Sequence, residues 1–373
     1  MSPRSEFLYL SEPDMVSAGV LDTDRCVDTI EEVFRILDAG DYLMGGPNHN
    51  SHGMGLVFPK ESRFENMPLA GPDRRFVAMP AYLGGRFDVC GNKWYGSNAA
   101  NKDRGLPRSV LTVMLNNKDT GEPLTLMSAN LLSSARTGAV PGVASRYVVD
   151  REAQVVSVLG CGPINRACVE GILSQLPGIT RVSCFDINRQ AAKALADWVS
   201  ERFGVKAIVV DDLPESLADA DVVSVAASRL VPLHVEEAWF KPTATIMLTG
   251  PMLADEALWT NSRIVYDHIQ LQEAYVEEGE ASGDKENYYS GVIGGPLYRL
   301  IDAGKLPALR ESTDLGAIVS GREPGRGAED GRIVFVTCGM AVYDLAWGFD
   351  VYRTALDKGI GTTLKLWDEP LSR

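Results

Sequence analysis

Short apolar runs recur along the chain, and Gly, Pro, Asn and Asp break them apart. In the early part these runs alternate like half-buried strands, which predicts strands over 7–10, 76–82, 88–96, 109–116 and 124–128. The stretch 24–39 instead has helical spacing, with Cys26, Val27, Ile30, Val33, Phe34 and Leu37 near one face. Residues 44–55 are rich in Gly, Asn and His and read as a loop. Together these predict a mostly antiparallel sheet with one early helix. A helix over 129–148 follows, with Pro141 inside it. Proline in a helix interior costs about 3 kcal/mol, so a kink or break is expected there.

From Gln154 the pattern changes to a regular alternation. Strands are predicted over 155–159, 181–185, 207–210, 221–226, 244–248 and 263–266, with helices over 165–176, 192–203 and 213–218 and a short one within 232–240. That succession predicts a doubly wound parallel sheet. Beyond Asp267 come an acidic, solvated helix face, a helix over 297–303 and a Gly- and charge-rich loop over 323–330. A strand over 333–336 and a helix over 340–355 close the chain, with a tail from Gly359. These last elements have no partners of their own, so they are expected to pack back on the first sheet. The fold class is therefore α/β: a Rossmann-type doubly wound parallel sheet over 136–316, plus a discontinuous mixed or antiparallel α+β domain over 1–135 and 317–373.

The stretch 154–186 organises this picture. A strand ends at Leu159, Gly160-Cys161-Gly162 follows, a helix begins, and a second strand ends on Asp186. This is the dinucleotide-binding βαβ order. Gly160 permits the tight turn, and Gly162 lets backbone approach a pyrophosphate at the helix N-terminus. Asn165 stands where the motif has its third glycine. Asp186 suits a ribose 2′-OH and would repel a 2′-phosphate, which favours NAD over NADP. Arg189, three residues on, reverses that preference if it points inward and is merely solvated otherwise.

Composition narrows the classes further. The 373 residues, 45% hydrophobic, suffice for two domains with proper cores. A formal net charge of -14 argues against nucleic acid and anionic membrane as partners. No apolar run approaches the roughly 18 residues needed to span a bilayer, and no secretory signal is evident at the N-terminus. The six cysteines form no C-x-x-C pair and read as buried thiols of a reducing cytoplasm. The four histidines show no zinc-like spacing, so no metal is expected.

Three cations precede the nucleotide fold. Lys93 sits in a strand between Asn92 and Trp94, with Cys90 and Tyr95 nearby. Burial among such neighbours would lower its pKa into an acid/base range, whereas a lysine on an edge strand would do nothing. Arg136 lies in the small and apolar helical stretch LLSSARTGAV, where a guanidinium suits a carboxylate or phosphate, or else a structural salt bridge. Arg108, beside Pro107, is the third. The three suggest an anionic substrate lying across a nicotinamide.

These residues, in GNKWYGSN, SSARTGAV, Gly160-Cys161-Gly162 and Thr337-Cys338-Gly339-Met340 with Asp344, give the chain a resemblance to the ornithine cyclodeaminase/mu-crystallin family over almost its whole length. Within the family, AMPAYLGG, KWYGSN, LLSSART, the SGREPGR loop and the ending GIGTTLKLW are similar to the siderophore-pathway dehydrogenases of N-(2-amino-2-carboxyethyl)-glutamate. The resemblance implies a cytoplasmic homodimer formed through the sheet domain; unpaired strand edges before Asn116 point to the same dimer. It implies that Lys93 and Arg136 are catalytic and contact an amino-acid-derived substrate, together with Arg108 and Met340. It also implies that Gly160, Gly162, Pro163, Ile164, Asp186, Arg189, Ser228, Thr249, Gly250, Thr337 and Cys338 hold the dinucleotide. The chain departs from the family where true cyclodeaminases carry a catalytic aspartate: here the sequence reads Leu248-Thr249-Gly250-Pro251-Met252, and Asp255 comes too late. The early carboxylate-gripping arginine has no clear match either; Asn48 or His49 lies near its place.

The expected activity is therefore an NAD-dependent oxidoreduction at the Cα–N bond of an amino acid or N-carboxyalkyl (opine-like) amino acid. The rivals are an amino-acid cyclodeaminase with a substitute for the missing acid, a simple imine or keto-acid reductase, and a non-catalytic dinucleotide-binding protein.

Overall fold

The computed structural model describes residues 4–227 and 232–371. The chain divides into two units. The first gathers the residues up to Asp22, Ala39–Arg136 and Met340 onward; the second gathers Thr23–Asp38 and Thr137–Gly339.

The first unit is built on one mixed eight-stranded sheet. Its order is Thr362–Trp367, Ser5–Leu10, Pro123–Ser128, Ser109–Asn116, Val89–Ser97, Arg75–Leu83 and Tyr42–Met44, and Met54–Val57 also pairs with Arg75–Leu83. Ser5–Leu10 runs parallel to Pro123–Ser128, and every other pairing is antiparallel. Strand alternation then sorts the side chains. Val77, Met79, Leu83, Val113, Leu115 and Met127 are buried on one face, against which the helix Ala341–Lys358 packs. Phe76, Trp94, Val110 and Met114 lie exposed on the other. The helix ends on Gly359 in the left-handed conformation, and the tail beyond it forms the edge strand Thr362–Trp367.

The second unit is a wholly parallel eight-stranded sheet. Its order is Lys206–Val209, Arg181–Phe185, Val155–Leu159, Val222–Val225, Thr245–Leu248, Ile333–Val336, Arg263–Tyr266 and Thr313–Asp314. Strand order reverses between Val155–Leu159 and Val222–Val225, the switch point beside which open α/β sheets bind ligands.

Three expectations are corrected. The strand Ile333–Val336 does not return to the first sheet; it inserts between Thr245–Leu248 and Arg263–Tyr266, so the second unit runs on to Gly339. The helix Thr23–Ala39 belongs largely to the second unit, where Glu31 and Asp28 bind Arg146, and Asp38 binds Arg322. Finally, Pro141 breaks nothing: Asn130–Val148 is one continuous helix. Its Gly138 lies against the backbone of Ala167 on the helix Pro163–Gln175, where an added Cβ would sit 2.1 Å from the Ala167 oxygen. Side-chain-free contact of this kind anchors the proline-bearing helix from outside.

Candidate active site

In the first unit three charges meet in an apolar setting. Lys93 stands mid-strand in Val89–Ser97, opposite Met79 on one neighbour and Val113 on the other. Its side chain points to the face covered by Ala341–Lys358 and is only 4% exposed. Trp94, the flank expected to help bury it, lies on the opposite, open face; the strand's alternation puts it there. The Lys93 Nζ lies 3.3 Å from Asp344 Oδ2 and donates to Ser133 Oγ at 3.0 Å. Arg136 Nε stands 3.1 Å from Asp344 Oδ1, and Arg136 also donates to Ser133 Oγ at 3.3 Å. Ser133 and Arg136 share a helix face because they are three residues apart. Burial, and then repulsion from Arg136, push the Lys93 ammonium down from its ordinary range to about 8, while Asp344 pulls it back up. The Tyr95 ring centroid lies 5.6 Å from Nζ, and burial raises the Tyr95 hydroxyl. Two cations thus share one carboxylate, and the cluster is one anion short.

The other candidates of this unit stand elsewhere. Arg108 is not drawn to Asp344: its Nε donates to Asp73 Oδ2 at 2.6 Å, and Asp73 also binds Arg75 and the Ser97 hydroxyl. Met340 is fully buried at the N-cap of Ala341–Lys358. Asn48 folds onto its own loop, accepting from Asn50 N and Ser51 Oγ.

In the second unit the glycine turn lies at the switch point. Gly160 has φ +87, and a Cβ there would sit 2.7 Å from Ala227 Cα, so both conformation and space demand glycine. Among the described residues, no atom lies within 4 Å of where a Gly162 Cβ would stand. Gly162 is the N-cap of Pro163–Gln175, with no side-chain cap, and Pro163 and Ile164 open that helix exposed. Its first N–H groups have no intrahelical acceptors. An open cradle with free donors at a positive helix end fits a pyrophosphate. Asp186 accepts from Cys161 N and Asn188 N, each at 2.7 Å. A carboxylate has about four lone-pair sites, so it keeps capacity for a ribose hydroxyl. Arg189 pairs with Asp211 at the surface.

Asn165 turns out to be structural. Fully buried, its Nδ2 donates to Leu159 O, Gly160 O and Ser224 O, while its Oδ1 accepts from Ser224 Oγ. It ties the turn to two strands where a glycine would leave a gap.

Thr249, Asp267 and Thr337 follow the ends of three neighbouring strands. A Cβ at Gly250 would sit 3.0 Å from Ala226 Cα. The buried Asp267 carboxylate accepts from Thr337 Oγ1 at 3.0 Å and Cys338 N at 2.8 Å, and also from His268 N and Gln272 Nε2. Burial raises its pKa despite these donors. Asp267 therefore shapes the Thr337–Cys338 turn, a role sequence reading missed because it used that acid only to mark where the acidic segment begins beyond it. Ser228 lies outside the described residues. Among the described residues no His, Cys, Asp or Glu cluster could hold a metal ion.

A parallel sheet with this glycine turn at its switch point, joined to a separate sheet unit carrying a buried Lys–Asp–Arg cluster, defines a two-unit Rossmann-type protein. The chain belongs to the ornithine cyclodeaminase/mu-crystallin family, whose pattern matches residues 21–359. It is similar to the N-((2S)-2-amino-2-carboxyethyl)-L-glutamate dehydrogenase of Staphylococcus aureus, at 26% identity over 365 residues, 97% of this chain and 99% of that protein. Its fold is similar to an archaeal alanine dehydrogenase dimer with bound NAD (TM-score 0.76, 25% identity, covering 97% of this chain and 100% of that one). It is also similar to the Thermococcus litoralis Δ1-pyrroline-2-carboxylate reductase solved with NADH and L-proline (TM-score 0.77, 22% identity, covering 95% and 99%).

Proposed function

We propose that the protein is an NAD-dependent oxidoreductase acting on the Cα–N bond of an amino acid or an N-carboxyalkyl amino acid. The carrying observation is the buried Lys93–Asp344–Arg136 cluster, with two cations to one carboxylate. Such a cluster attracts a carboxylate, and a lysine held near 8 exchanges protons at working pH. The names of the dehydrogenase relative and of the NAD-bound neighbour support the same reading.

Gly160, Gly162, Pro163, Ile164 and Asp186 hold the dinucleotide, with Thr249, Gly250, Thr337 and Cys338 at neighbouring strand ends. A bound nicotinamide would supply the acceptor for the Cα hydride, or its donor in the reverse direction. Arg136 grips the substrate carboxylate by a charge-assisted fork. Neutral Lys93 takes the amine proton as the imine forms, then passes protons as water adds and the carbinolamine splits into a 2-oxo acid and an amine. In reverse, protonated Lys93 supports reductive amination. Asp255 is given no part in this reaction, because it comes a few residues after the place of the cyclodeaminase acid.

The finer reading is a siderophore-pathway, opine-type homodimer of the cytoplasm. The open apolar face of the first sheet supports the dimer, and six unbridged cysteines support the compartment. The test is a scan of amino acids and N-carboxyalkyl amino acids with NAD, following the absorbance of reduced nicotinamide. N-carboxyalkyl amino acids should turn over, and ornithine should give no proline. NADH binding without turnover on any of them would make this a binding protein, and rapid proline formation would make it a cyclodeaminase.

A further inference from the structure

Among the described residues, Asp344 is the anion that faces both cations of the cluster. It is fully buried and meets no solvent. It lies in the first turn of Ala341–Lys358, an 18-residue helix. Its two oxygens are divided: Oδ2 faces Lys93 and Oδ1 faces Arg136. The Ser133 hydroxyl accepts from both cations as well, but it is neutral.

We infer that Asp344 is a positioning residue of the proposed reaction: its single carboxylate fixes Lys93 and Arg136 relative to each other and keeps Lys93 protonated near neutral pH. The groups around Lys93 bear this out element by element. The flanking strands offer Met79 and Val113, both apolar. Its own strand offers the Tyr95 ring. The helix Asn130–Val148 offers neutral Ser133 and cationic Arg136, and among the described residues the negative charge comes from the last helix. Without Asp344, Lys93 would lie buried beside Arg136 with no counter-charge, and it would shed its proton. Two consequences follow for the reaction. Oxidation, which needs neutral Lys93, rises with pH through about 8, and reductive amination falls through the same value. Removing the carboxylate moves both limbs to lower pH.

The role of Lys93 as acid/base rests on the function proposed above, so the decisive measurement is made without turnover. Lysine labelled with 13C at Cε is incorporated, the Lys93 signal is assigned as the one lost in Lys93→Met, and its shift is followed against pH. The wild-type midpoint is expected at about 8. In Asp344→Asn it should fall by about one unit or more, a tenfold weaker hold on the proton. Asp344→Glu should restore the midpoint while kcat stays low, because the longer side chain displaces both cations. An unmoved midpoint in Asp344→Asn overturns the inference. If that variant does not fold, Lys93→Met/Asp344→Asn restores the cluster's net charge and should fold; failure of the double variant also overturns it. A midpoint that moves while the rate limb stays fixed leaves Asp344's hold on Lys93 standing and removes Lys93 from the chemistry.

Discussion

Lys93 and Arg136 share a carboxylate but do different work, so their removal should separate in the kinetics. Lys93→Met keeps most of the volume and removes the proton carrier. It should lower kcat by about 10²- to 10⁴-fold and leave NADH affinity nearly unchanged. Arg136→Met removes a charged grip on the ground state and should raise KM roughly 10- to 100-fold. Steady-state kinetics with NADH fluorescence titrations check both, and a Lys93→Met enzyme with wild-type kcat would remove Lys93 from the site. Both residues were legible because a cation in an apolar stretch is conspicuous: SSARTGAV and GNKWYGSN each isolate one. Their pairing with Asp344 was not, although Asp344 is among the residues that carry the family resemblance. Asp344 lies 251 residues from Lys93, and nothing local to AVYDLAW announces what faces it. Arg108 was conspicuous in the same way, yet a loop aspartate, Asp73, claims it. Local composition marks a charge as unusual; only the fold says which counter-charge it meets.

At the scale of elements, the strand–turn–helix around Gly160 was the most legible part of the chain, because each piece is fixed by near neighbours in sequence. The least legible was Ile333–Val336, whose place between two earlier strands depends on the order of the sheet. Four apolar residues carry the same pattern in any parallel sheet, and sequence order suggests the wrong one. The turn also carries a test of cofactor choice. Asp186 accepts from Cys161 N and ends the second strand, where the motif would place the ribose of a bound dinucleotide. Arg189 pairs with Asp211 at the surface. Asp186→Ala should therefore weaken NADH by about tenfold and NADPH by less, since the variant also removes a repulsion. Equal losses for the two cofactors, by fluorescence titration, would mean that Asp186 serves the turn alone.

At the scale of the whole molecule, the first sheet poses a question of association. Its inner face is closed by the helix Ala341–Lys358, while its outer face leaves Phe76, Trp94, Val110 and Met114 exposed on adjacent strands. Phe76 and Trp94 stack there with ring centroids 5.6 Å apart. Contiguous exposed aromatics of this kind mark association surfaces. The sheet has a second weakness, its edge strand Thr362–Trp367, exposed along its whole length and carrying Lys365, a residue that discourages edge pairing. The face and the edge predict different dimers. We expect the face to be used, because it presents large apolar groups while the edge presents a charge. Light scattering should give twice the chain's 40.5 kDa at micromolar concentration. Trp94→Glu places a charge at the centre of the face and should give monomers that still bind NADH, since the glycine turn lies in the other unit. Leu366→Glu on the edge strand should leave the dimer intact. If Leu366→Glu dissociates it and Trp94→Glu does not, the edge is the interface; a wild-type monomer would leave the open face without a partner of its own kind.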